Sequence, residues 1–114
     1  MAEKRLTGRY PKKIPVKFGF GNLYENGETE NISLTGMFVN ATAFYATRTV
    51  IKIEYTLPKN IVVGINGEVR WKRESSSQWI QTAKKNGFGI RIVKFYSGEQ
   101  IYKEMIKELQ DILS

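Results

Sequence analysis

The sequence predicts a mainly β domain, an antiparallel barrel or sandwich finished by a C-terminal amphipathic helix. Three observations predict it. Short apolar runs with period-two alternation recur as far as Phe95, turn-forming residues separate them, and the last stretch switches to helical periodicity.

After a basic N-terminal segment, Ile14, Val16, Phe18 and Phe20 alternate with Pro15, Lys17 and Gly19, as in a half-buried strand. Leu23-Tyr24 follows, and Asn26-Gly27 readily supplies the positive φ values of a type I′ hairpin turn. The returning strand is expected over 28–32, ending in Asn31-Ile32-Ser33-Leu34-Thr35-Gly36. Further strands are expected at 37–40, 50–57, 68–72, 79–83 and 89–95. Turn material lies between them: Pro58-Lys59-Asn60, Asn66-Gly67, the serine run 75–77 and Asn86-Gly87. Short strands at this spacing favour closure or sheet-on-sheet packing, because both protect edges. Trp79 reads as a packing residue.

Ser97 with Gln100 three residues on resembles a capping box, in which each side chain satisfies a backbone donor at the helix start. Ile101, Met105, Leu109 and Ile112, with Tyr102, Ile106 and Leu113, then form one apolar stripe at helical spacing. A helix of about 15 residues is expected, over about 98–113. Its stripe is expected to cap the barrel, since a domain this small needs the buried area; a partner interface is the alternative.

At 114 residues, 41% hydrophobic and 25% charged, the chain fits one domain, with an arm at 1–13 and a folded body at 14–114. The absence of cysteine and histidine removes disulfides, thiolate chemistry and the commonest general base and metal ligand. The acids are scattered: Glu25, Glu28 and Glu30 in a hairpin, Glu99, Glu104, Glu108 and Asp111 along the helix. Solvated faces explain them better than paired catalytic carboxylates do. The chain does not read as an enzyme, and nothing in it calls for a cofactor or a metal. The N-terminus lacks the apolar core of a signal peptide, and no apolar run approaches the roughly 20 residues that span a bilayer. A soluble, cytoplasmic protein is expected.

The formal net charge is +7, which favours anionic partners. Lys4, Arg5, Arg9, Lys12, Lys13 and Lys17 crowd the N-terminus against Glu3 alone. Such a run reads first as a solvated arm, mobile around Gly8, and by itself it is not specific. Arg5 and Arg9 nevertheless form Arg-x-x-x-Arg. A planar guanidinium donates two parallel hydrogen bonds to a phosphate or to the O6/N7 edge of guanine, and stacks on bases. On a strand, Asn31 and Ser33 point to one side, an amide oxygen and a hydroxyl suited to the N1–H and N2–H donors of guanine. Gly36 permits positive φ or close backbone approach at the turn that follows. Alone, that hexapeptide would be an ordinary turn bonding its own backbone.

Together and in this order, the two elements resemble the PilZ family. Gly67-Glu68-Val69-Arg70-Trp71 is similar to the family's Gly-x-Val-x-Trp strand, and the segment from Asn86 to Phe95 to its closing Gly-x-Gly strand, followed by a helix. The resemblance implies a six-stranded antiparallel barrel with a C-terminal helix, and a cyclic di-GMP site on its outer surface. It implies that Arg5 and Arg9 bind guanine edges and phosphates, that Asn31 and Ser33 read a guanine edge, and that Gly36 shapes the turn. Lys4 falls where relatives influence ligand stoichiometry. Arg70 and Trp71 are lesser candidates for base contact, Trp71 being as well suited to the core. Many relatives carry Asp where Asn31 stands; the neutral amide offers one acceptor oxygen, so weaker binding is expected. The expected role is a receptor whose arm orders on cyclic di-GMP and which then signals to a partner protein. The alternatives are a single-stranded nucleic-acid-binding barrel using Tyr10, Phe18, Phe20, Tyr24 and Phe38, or a PilZ-like adaptor that no longer binds nucleotide. Nucleic acid is disfavoured because the charge concentrates on the arm and the aromatics alternate like core residues.

Overall fold

The structure is a computed structural model describing residues 8–43, 45–74 and 86–113. Its strands are β1 (Tyr10–Pro11), β2 (Pro15–Gly19), β3 (Glu25–Ile32), β4 (Gly36–Asn40), β5 (Val50–Leu57), β6 (Ile61–Arg73) and β7 (Gly87–Ser97), followed by helix α1 (Glu99–Leu113). The sheet runs β3-β2-β5-β6-β7-β4, and β4 pairs with β3 again, closing a six-stranded antiparallel barrel. The expectation of a closed barrel with a C-terminal helix is met. The short strand β1 lies beside the end of β3, pairing Tyr10 with Ile32 and Pro11 with Asn31.

Inward-facing residues of every barrel strand fill the interior: Val16, Phe18, Ile32, Met37, Val39, Ile51, Ile53, Tyr55, Val63, Ile65, Val69, Phe88 and Ile90. Rings of Phe18, Tyr45 and Phe88 meet edge to face at centroid distances of 5.2–6.1 Å. Elsewhere in the core Phe95 packs on Tyr102 at 5.4 Å. Tyr102 and Ile106 of α1 belong to the core, with Ile101, Met105 and Leu109 packed against it, so the helical stripe caps the barrel as expected.

Several local expectations are corrected. Asn26-Gly27 is not a turn; both residues lie within β3, opposite Lys17 and Val16. A Cβ on Gly27 would press on Phe18 and Val39, so this glycine serves close packing. The reversal falls earlier, at Phe20–Leu23, where Gly21 takes φ 76° and the Asn22 side-chain oxygen accepts the Tyr24 amide at 3.2 Å. Phe20 therefore leaves the strand and is 67% exposed. Asn66-Gly67 likewise sits inside β6, at a register shift against β7. β6 is consequently a single long strand that also takes in 68–72. Pro58–Asn60 does turn the chain, with Lys59 and Asn60 at φ 68° and 60°. Gly87 already opens β7. The capping box does not form: Ser97 is still in β7, and its hydroxyl donates to the Val62 carbonyl at 2.8 Å. The strand expected at 79–83, with Trp79, lies outside the described residues.

A jog between β1 and β2 is bridged by Thr29, a fully buried residue of β3. Its hydroxyl donates to the Lys12 carbonyl and accepts the Ile14 amide at 2.9 Å, so one side chain replaces the missing rung of the ladder. Thr29→Val keeps the shape and removes the hydroxyl, and should lower unfolding free energy by about 1–2 kcal/mol in urea titration. Tyr55 is a second test. Its hydroxyl is buried with no hydrogen-bond partner among the described residues, and burial pushes its pKa up to about 12. A folded pKa raised above the unfolded value means the contribution is complete below pH 10 and lost as pH climbs toward 12. Phenolate absorbance of Tyr55 should therefore rise near pH 12 while the chain stays folded and near pH 10 once it unfolds, and Tyr55→Phe should flatten the alkaline loss of stability.

Candidate functional site

The Asn31–Gly36 segment forms the tip of the β3–β4 hairpin. Ser33 is 1% exposed, and its hydroxyl accepts the amides of Thr35 (3.2 Å) and Gly36 (3.1 Å). The Ser33 amide donates to the Gly36 carbonyl at 2.8 Å, and the Ile92 amide to the Thr35 carbonyl at 2.7 Å. Ser33 thus spends its hydroxyl on the turn. Gly36 is needed for close approach, since a Cβ there would overlap the Ile90 carbonyl oxygen of β7. No positive φ is involved at Gly36.

Asn31 lies outside this turn, on the outer surface. Arg9 Nη1 donates to Asn31 Oδ1 at 2.7 Å, an exposed contact across 22 residues of chain. β1 brings the two within reach: Pro11 pairs with Asn31 and Tyr10 with Ile32, so the chain just before them lies beside the end of β3. A bulge then widens the outer face. Between Thr29 and Asn31, β3 advances two residues against one on β4, which leaves Glu30 extra and registers Asn31 with Phe38. Phe38 pairs with Gly89, and Gly89 with Trp71 across a second bulge that leaves Arg70 extra. Asn31, Phe38, Gly89 and Trp71 therefore form one row across four strands, three strand spacings or roughly 14 Å wide.

This row is built on a missing side chain. A Cβ on Gly89 would overlap the Trp71 indole, so the bare glycine lets that ring lie over β7 and stack on Phe38 at 4.8 Å and 25°. Phe38 is fully buried beneath it, yet outside the barrel core. Trp71 keeps 45% of its surface exposed, which corrects the core reading of this residue. Arg73 lies over Phe38 with Cζ 4.4 Å from the ring centroid. It is held there by both Glu30 oxygens (2.8 and 3.3 Å) and by Asn40 Oδ1 (3.2 Å). The result is an aromatic shelf between arginines, with the Arg9–Asn31 pair at one end. Such a surface can stack a planar base and donate to a phosphate or a guanine edge.

A family model for the PilZ domain matches residues 3–109. The chain belongs to the PilZ family. Among solved structures, the PilZ domain of CeSA from a cellulose-synthesizing bacterium superposes with TM-score 0.59 at 18% identity, covering 91% of this chain and 99% of that one. A comparison with curated proteins finds no match. PilZ domains are generally cyclic di-GMP receptors and typically bind ligand without catalysis. Among the described residues there is no cluster of acids able to hold a metal, and no helix long and apolar enough to cross a membrane.

Of the residues singled out from sequence, Arg9 and Asn31 meet directly, and Ser33 and Gly36 shape the turn beneath them. Lys4 and Arg5 lie outside the described residues. Arg70 is exposed and shares Glu68 with Arg91, at 3.5 and 3.1 Å. In this PilZ domain, Arg73 was not singled out in sequence, Glu30 was read only as a solvated acid, and Phe38 was named only for the nucleic-acid alternative. Nothing local marks Glu30 and Arg73, 43 residues apart, as partners, and Phe38 reads as one more core residue in an apolar strand.

Gly89→Ala should lift the Trp71 ring from Phe38 while leaving the barrel folded. In a Trp79→Phe background, acrylamide quenching of Trp71 fluorescence should rise, with stability lower by about 1 kcal/mol for the lost stacking.

Proposed function

We propose that this PilZ domain is a cytoplasmic cyclic di-GMP receptor that closes its N-terminal arm over the nucleotide and presents the changed surface to a protein partner. The observation that carries this reading is the Arg9–Asn31 contact, because it joins the two motif elements on one outer face. In this reading Asn31 Oδ1, which has two lone pairs, accepts Arg9 with one and a guanine N–H with the other. Arg9 and Arg5 take phosphate and guanine acceptors. Ser33 and Gly36 act through the turn that aims Asn31. Trp71 offers its exposed face to a base, Arg70 stands beside it, and Lys4 bears on how many ligands the arm can enclose. Binding requires neither metal nor cofactor.

The nucleic-acid alternative loses two of its aromatics, since Phe18 and Phe38 are fully buried, while Phe20 and Tyr24 sit exposed on the β2–β3 hairpin. Salt titration separates the readings. A ligand with two phosphates gives a shallow slope of log affinity on log salt, and a multi-phosphate strand a steep one.

Isothermal titration with cyclic di-GMP is the decisive measurement. Arg9→Ala and Asn31→Ala should each weaken binding by about tenfold or more, as loss of a hydrogen bond to a charged group does. Asn31→Asp should tighten it by about three- to tenfold, because a carboxylate offers two charged acceptors. No heat from the native chain at about 100 μM ligand, a free energy near −5.5 kcal/mol, would put the nucleotide-free adaptor in front. Unchanged affinity in Arg5→Ala would remove that residue from the site.

A further inference from the structure

α1 reaches the candidate site through one hydrogen bond. Tyr102, in the first turn of the helix, is fully buried, and its hydroxyl donates to the Ser33 carbonyl at 2.7 Å. That carbonyl belongs to the residue whose hydroxyl and amide already fix the β3–β4 turn. Asn31 stands two residues upstream, joined to Ser33 by the fully buried Ile32. The path from helix to outer face is therefore short and stiff: Tyr102, the Ser33 peptide, extended strand, Asn31.

Resting on the reading of Asn31 as a nucleotide contact, we propose that Tyr102 is a positioning residue for ligand binding, and that through it α1 senses whether the site is occupied. The ring alone would serve packing, and a phenylalanine would fill the same space against Phe95. The hydroxyl does something more. Without it the Ser33 carbonyl loses this partner at a buried site, and the turn must shift to replace it. A shift at Ser33 moves Asn31 Oδ1 relative to Arg9. Burial also holds the Tyr102 hydroxyl far above the ordinary tyrosine range, so it remains a protonated donor at every physiological pH.

Coupling of this kind is reciprocal. If the hydrogen bond improves ligand binding by some factor, ligand improves docking of α1 by the same factor. The helix carries an outward face of Lys103, Glu104, Lys107, Glu108 and Asp111, all exposed. A change in how firmly α1 is seated would thus alter this charged surface.

The test compares Tyr102→Phe with Ile106→Val, a buried position one turn along the same helix face whose aliphatic side chain can make no hydrogen bond to the turn. Both should lower the melting temperature by a few degrees. Only Tyr102→Phe should weaken cyclic di-GMP binding, by about five- to tenfold in isothermal titration, with Ile106→Val staying within about twofold of native. Hydrogen exchange supplies the reciprocal readout: ligand should increase protection of α1 amides in the native chain and lose that effect in Tyr102→Phe. Equal weakening in both variants would mean that affinity follows helix stability, and would overturn the role of the hydroxyl. So would native affinity in Tyr102→Phe. If the native chain gives no heat at all, the nucleotide reading of Asn31 fails, and the positioning role falls with it.

Discussion

The Ser33 hydroxyl accepts the amides of Thr35 and Gly36, and this small knot fixes the reversal through which β3 returns as β4. Barrel closure depends on that reversal, because β3–β4 is the pairing that joins the two ends of the strand order. Its surroundings hold it from three sides. β7 approaches so closely at Gly36 that no side chain fits, the Ile92 amide takes the Thr35 carbonyl, and Tyr102 takes the Ser33 carbonyl. A serine at this position therefore has a structural duty strong enough to fix it before any ligand is considered. The motif does two jobs at adjacent residues: it closes the barrel from within and holds Asn31 outward.

Two β-bulges then decide what the outer face looks like. Without the extra residue at Glu30, the period-two alternation would alternate Asn31 with its neighbours in strict register. With it, Glu30 reaches Arg73 while Asn31 pairs with Phe38 and meets Arg9. The bulge at Arg70 brings Trp71 opposite Gly89 and turns Arg70 toward Glu68. The consequence is chemical as well as geometric. The Glu30 carboxylate holds Arg73 against the Phe38 ring, so the shelf is rigid, whereas Arg9 meets a neutral amide in an exposed contact.

Much of this was legible in the sequence, and the part that was not has a common cause. Period-two alternation located most of the strands but not β1 or the first half of β6, helical spacing located α1 and its buried stripe, and the motifs singled out Arg9 and Asn31 without foreseeing that they touch. Turn propensity failed at Asn26-Gly27 and Asn66-Gly67, because a local preference for positive φ carries no information about what packs above the glycine. Gly27 lies under Phe18 and Val39, and Gly67 under Ile90. Trp71 stayed open between core and surface in the sequence because the bulge that turns it out depends on β7, a strand far along the chain. The Tyr102–Ser33 bond spans 69 residues, and no local pattern distinguishes a tyrosine that fills space from one that also holds a carbonyl.

The neutrality of Asn31 bears on how the proposed receptor would work. An exposed ion pair contributes only about 0–1 kcal/mol, so an aspartate would hold Arg9 in the free protein scarcely better than the amide does. Beneath a bound nucleotide the comparison changes. Water is excluded there, and a hydrogen bond to a charged acceptor is worth about 1.5–3 kcal/mol against about 1 for a neutral one. The residue type at this position therefore acts mainly on the closed state and hardly on the open one. In the proposed reading, asparagine leaves the resting contact nearly unchanged and loosens the grip, which sets release of the nucleotide more than its capture. The aromatic shelf and the Tyr102 hydroxyl then carry a larger share of the binding than they would in a chain with an acid at this position.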